Sequence, residues 1–100
     1  MARLLIDQRF KKGKFIISIM SWEVPKSTNI PSGIKIRLSL IKNEERILGY
    51  DNNLNEALHK HLFDKKISIK EIELTELVEK FRKECFELMG VKENVKNKRN

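Results

Sequence analysis

The residues that could do chemistry gather in one short stretch. Between Leu48 and His61 the chain carries Tyr50, Asp51, His59, Lys60 and His61, and both of its histidines lie there. Histidine titrates near neutral pH without help, and two histidines separated by one residue point the same way if the backbone is extended. With Lys60 between them and Tyr50 and Asp51 upstream, the stretch holds acids, bases and a cation. That is the equipment of an acid–base or phosphate-handling site.

Phosphate chemistry without a metal needs a base to take a proton, an acid for the leaving oxygen and cations for the charge that builds on the phosphorus. His59 and His61 are the candidate acid and base, with either assignment open. Arg37 and Lys60 supply cations, and Tyr50 can stack on a base or donate a hydrogen bond. Lys35, Arg37, Arg46 and Lys60 are the candidate nucleic-acid contacts. Zinc is a competing reading, with two ligands from His59 and His61 and a third from Asp51 or Asp64. No cysteine or further histidine completes the set, so neither a metal site nor a cofactor is expected. A plainer reading also stands: surface histidines with one partly buried, Arg37 as an ordinary exposed sheet residue, and Asp51-Asn52 as a turn. No nucleophile elbow, P-loop, dinucleotide fingerprint or metalloprotease motif is present, which disfavours hydrolases and nucleotide-binding enzymes of those kinds.

The elements that must position these residues are read from hydrophobic period. Residues 2–10 read as a strand and Lys11-Lys12-Gly13-Lys14 as a turn. In Lys14 to Val24 both faces are mostly apolar, Phe15, Ile17 and Ile19 on one and Ile16, Met20, Trp22 and Val24 on the other; this is the pattern of a central strand covered on both sides, with Trp22 read as core. Residues 25–33 hold both prolines and Gly33 and form a loop, the best candidate for a flap. Ile34 to Ile41 alternates cleanly and sets Lys35, Arg37 and Ser39 on the polar face. Arg46 to Tyr50 pairs back on it as a hairpin, bringing Arg37 and Tyr50 into one neighbourhood. Asn55 to Phe63 fits a short helix as well as a strand or loop. As a helix it would turn His59 and His61 about 200° apart. Ile67 and Ile69 show period 2 again. Leu74, Leu77, Val78, Phe81, Cys85, Leu88 and Met89 then lie at helical spacing, ended by Gly90 as a C-cap.

These elements predict an α+β domain over residues 1–90, an antiparallel sheet of four to five strands packed against a long C-terminal helix. A flexible basic tail is expected over 91–100. One hundred residues allow one hydrophobic core. The formal charge is +7, and residues 91–100 account for only part of it. A basic surface favours a polyanion or an acidic partner protein, and nucleic acid is the commonest polyanion in a cell. The single cysteine excludes an intramolecular disulfide. No apolar run reaches the length that spans a bilayer, and Asp7 interrupts the first residues too early for a signal peptide, so a cytoplasmic protein is expected.

In order along the chain, Trp22-Glu23-Val24-Pro25, Lys35-Ile36-Arg37-Leu38, Leu48-Gly49-Tyr50-Asp51-Asn52 and His59-Lys60-His61 resemble motifs of the TumE-type toxins of two-gene toxin–antitoxin systems, with Phe81 where that family has an Asp-Phe pair. The match spans roughly residues 14–88. The chain departs from the family pattern before the histidines, where Asn53 to Ala57 has no glycine and Leu58 stands in place of an aspartate. If that aspartate orients a histidine, its task here passes to another carboxylate, such as Asp51 or Asp64, or is missing. The resemblance implies a small toxin that acts on RNA and is neutralised by an antitoxin protein encoded by a neighbouring gene. Together with the histidine pair it leads us to expect a metal-independent ribonuclease. The alternative is a non-catalytic basic module that binds nucleic acid or a partner protein.

Overall fold

The computed structural model describes residues 2–90. Six strands succeed one another, β1 (Arg3–Lys12), β2 (Phe15–Glu23), β3 (Ile34–Lys42), β4 (Glu45–Asn53), β5 (Glu56–Leu62) and β6 (Lys65–Ser68), and the helix α1 (Leu74–Met89) closes the order. All neighbours are antiparallel and the sheet order is the chain order, an uninterrupted meander. The expected α+β class holds, but the sheet has six strands rather than four to five. The difference lies in residues 55–68. The segment from Asn55 to Phe63 builds neither a helix nor a loop but the strand β5, and β6 is a separate strand paired beside it. Tight turns close the successive hairpins. Asn43 and Glu44 both adopt positive φ, as does Phe63, and the Asn53 Oδ1 accepts from the Asn55 N–H at 2.8 Å to close the turn between β4 and β5. The expected basic tail, residues 91–100, lies outside the described residues.

Alternation along each strand divides the sheet into two faces. One face is covered by α1, whose Leu77, Phe81 and Cys85 are fully buried against Ile19, Leu38, Leu40, Leu48 and Tyr50. Removing side chains of this size from water contributes about 2 kcal/mol apiece, which is what holds the helix down. Gly90 ends α1 in the left-handed region at φ 76°, its N–H bonded to the last-turn carbonyls.

No element of the described residues lies over the other face. This corrects the expectation for β2: Ile16, Met20 and Trp22 are half-buried on the open face rather than enclosed in a second core layer. The loop over residues 25–33 is closed on itself, the Val24 N–H donating to the Gly33 carbonyl at 2.8 Å. Ile30 is buried within it, and the Asn29 amide donates to the Leu54 carbonyl, which ties the loop to the β4–β5 turn.

Candidate functional site

Strand register places the chemistry on the open face. Asp7, Met20, Arg37, Asp51, His59 and Ser68 form one row across all six strands, and Arg9, Ser18, Ser39, Gly49, His61 and Lys66 form the next. His59 and His61 therefore do share a face, as their spacing requires of a strand. Their rings meet edge to face with centroids 4.7 Å apart. Asp51 is the direct cross-strand partner of His59.

The hydrogen bonds of His59 define its proton inventory. Nδ1 lies 2.9 Å from the Ala57 carbonyl, which can only accept, so Nδ1 carries a hydrogen. Nε2 lies 2.7 Å from Asp51 Oδ1. That short contact needs one more proton, held between the carboxylate and the imidazole. His59 is only 4% exposed. Its place is fixed and both of its nitrogens are engaged.

His61 is different. Its side chain is 24% exposed, and its Nε2 stands 3.8 Å from Asp51 Oδ2. Burial lowers its pKa below the ordinary histidine value and the Arg46 charge adds to this, while Asp51 pulls the other way. The ring therefore presents a neutral imidazole at the surface of the site. On the outer side Glu56 Oε1 lies 3.7 Å from His59 Nε2. A hydrogen bond from Lys66 is the main reason that the Glu56 carboxyl stays ionised to lower pH than usual.

Arg46 completes the group by reaching across Gly49. Its Nη1 donates to Asp51 Oδ2 at 3.2 Å. The path is open only because residue 49 has no side chain: a Cβ there would stand 3.0 Å from Arg46 Cδ and 3.1 Å from the Leu38 carbonyl oxygen. The rest of the Leu48 to Asn52 motif is equally specific. Asn52, buried, takes the Ile36 N–H on Oδ1 at 2.9 Å and gives Nδ2 to the Ile34 carbonyl at 3.1 Å, replacing ladder bonds where β3 and β4 diverge. Asp51-Asn52 is thus part of a strand, not a turn.

Two of the expected site residues lie elsewhere. Tyr50 and Lys60 point to the helix face, where both bond to Glu84, the Tyr50 hydroxyl donating to Oε1 and the Lys60 ammonium to Oε2, each at 2.5 Å. Tyr50 is fully buried, and burial and Glu84 raise its pKa above the ordinary tyrosine range. Neither residue meets the histidines, and Arg37 and Tyr50, although on neighbouring strands, face opposite sides. The parity of the sequence already separates them, since Tyr50 precedes Asp51 and Lys60 lies between the histidines. Asp64 is in the β5–β6 turn, apart from the group; Asp51 is the carboxylate that serves the histidines.

Of the candidate nucleic-acid contacts, Lys35, Arg37 and Arg46 are on the open face and Lys60 is not. Arg37 is exposed, directly across from Asp51. Lys35 Nζ lies 5.6 Å from the Trp22 ring centroid, which gives the open face a half-buried aromatic where the sequence pattern alone assigns Trp22 to the core. Glu56 and Lys66 carry no mark in the sequence; nothing in their spacing singles them out before the β5–β6 pairing is known.

The chain matches no family model, no curated protein and no solved structure.

Proposed function

We propose that this protein is the toxin component of a two-gene toxin–antitoxin system, similar to the TumE-type toxins, and that it cleaves RNA at the open sheet face. The observation that carries the chemistry is the Asp51, His59 and His61 cluster, set on two paired strands beside Arg37 and Arg46. His61, the more exposed ring, takes the 2′-hydroxyl proton. The proton held between Asp51 and His59 goes to the leaving oxygen. Arg37 and Arg46 offset the charge of the phosphorane, and Lys35 with Trp22 lies where an adjoining nucleotide would stack. No metal takes part in these steps. The partner that restrains the toxin is an antitoxin protein from the neighbouring gene.

A second reading is favoured by one observation. His59 has both nitrogens bonded within the protein and almost no exposure, as in a ring that braces a binding surface. In that case the open face holds RNA, or an acidic partner, without cleaving it.

Inducible expression with and without the neighbouring gene tests the toxin, and an RNA cleavage assay on the purified protein tests the chemistry. Growth arrest relieved by the neighbour is expected. His61→Ala should lower the cleavage rate by about 10²- to 10⁴-fold, the usual worth of general acid–base help. Cleavage at the parental rate in His61→Ala would remove His61 as the base, and a parent protein that binds RNA without cleaving it would leave the binding module as the reading.

A further inference from the structure

The same three side chains form a cluster that an acid–base mechanism does not fully explain. One ligand-capable atom from each of Asp51, His59 and His61 lies within 4.8 Å of the others. The geometry points to a binding site for a first-row divalent cation of the zinc class at Asp51, His59 and His61. Occupancy of this site closes the acid–base pair.

The donor set selects the ion. Two imidazoles and one carboxylate suit zinc, cobalt or nickel, whereas magnesium and calcium take oxygen ligands. Three protein ligands with a fourth position left for water is the arrangement of a zinc site that is open on one side. The three ligand atoms span up to 4.8 Å, somewhat wider than a bound ion requires. Ligand atoms about 2.1 Å from a tetrahedral zinc stand about 3.4 Å apart. Asp51 Oδ2 and His61 Nε2 are 3.8 Å apart, and Asp51 Oδ1 and His59 Nε2 are 2.7 Å apart. To bind, the ion must draw the more exposed His61 ring inward and take the place of the proton between Asp51 and His59, which leaves to solvent.

The outer contacts are those a ligating histidine needs. His59 gives its Nδ1 hydrogen to the Ala57 carbonyl, which fixes the ring and directs Nε2 at the site. Arg46 holds Asp51 Oδ2, so Oδ1, which faces His59 Nε2, is the carboxylate atom left to the ion. The backbone is set by direct pairing of Asp51 with His59 and Gly49 with His61, so the ligands do not depend on a loop. Because His61 would give the ion the lone pair that the proposed base uses, the filled site is inactive; this consequence rests on the ribonuclease reading, whereas the site itself does not.

Titration calorimetry of chelator-treated full-length protein with zinc chloride, alongside the visible spectrum of the cobalt form, tests the site. One zinc per chain is expected, with an intense four-coordinate cobalt spectrum. His61→Ala and Asp51→Asn, each checked for folding by circular dichroism, should weaken binding by about ten-fold or more and abolish that spectrum. Weak binding of several ions per chain, or affinity unchanged in folded His61→Ala, overturns the site. In the RNA cleavage assay, saturating zinc should stop the reaction and EDTA restore it; cleavage that persists or rises at saturation overturns the closure. A protein that binds one zinc but cleaves no RNA would retain the site and lose the ribonuclease reading, so the two fail separately.

Discussion

At the scale of single residues, Gly49 and Arg46 act as one unit. Placing a methyl group at position 49 drives it against the Arg46 side chain and the Leu38 carbonyl, at 3.0 and 3.1 Å. Gly49→Ala should therefore turn the guanidinium away from Asp51 and lower stability by about 1–2 kcal/mol, the ordinary cost of mild overpacking. In the cleavage assay it should lose activity to the same extent as Arg46→Ala. Urea unfolding and single-turnover cleavage of the two variants give the comparison; full activity in Arg46→Ala would show that its bond to Asp51 does no catalytic work. Cys85 gives the opposite kind of expectation. Burial pushes its thiol up to about 12, with the nearby Glu84 charge adding to the shift, so in mildly alkaline buffer it stays protonated and enclosed. A disulfide reagent should leave it intact in the native protein and react at once in strong denaturant. Rapid native reaction would mean that α1 lifts from the sheet.

At the scale of elements, the legible parts of the chain are those whose period leaves no choice. Leu74 to Met89 reads as a helix because its apolar residues recur at helical spacing, and Ile34 to Ile41 as a strand because they alternate. Asn55 to Phe63 fits both, since Ala57, Leu58 and Leu62 can face inward together on a helix while Leu58 and Leu62 share one face of a strand. What decides it is long-range: β5 is held by β4 on one side and β6 on the other, and no local signal marks the turn at Phe63, which adopts positive φ without glycine. The histidine pair is legible through the same alternation, but its cross-strand partner Asp51 depends on register. Tyr50 and Lys60 are misplaced by sequence because closeness along the chain is not closeness in space. Their actual task is to tie α1 to the sheet through Glu84, whose side chain is 20% exposed. Glu84→Ala should cost about 2 kcal/mol in urea unfolding, since it strands a buried hydroxyl and a half-buried ammonium. RNA cleavage should be unchanged, because the cluster lies on the opposite face; a parallel loss of cleavage would mean that the two faces are coupled.

At the scale of the molecule, the sheet separates two tasks: α1 and the core occupy one face, while Lys35, Arg37, Arg46 and the histidines stand on the other. No helix among the described residues is long and apolar enough to cross a membrane, and the net charge of +7 is suited to a polyanion. If RNA lies along the open face, its contacts there are phosphate contacts that release counterions, each cation contributing about 0.7 to the slope of log affinity against log salt for a single strand. Lys35→Ala combined with Arg37→Ala should then flatten that slope by about 1.4, while affinity falls for every RNA sequence alike, because phosphate contacts carry no sequence information. Lys80→Ala combined with Lys83→Ala, which removes the same charge from the exposed side of α1, should lower the affinity slightly through the overall field and leave the slope in place. Filter binding at several salt concentrations separates the two cases. A slope that changes with the helix pair and not with the sheet pair would put the RNA across α1, on the far side of the sheet from Asp51, His59 and His61, and neither cleavage nor cation control of cleavage by those residues could then stand.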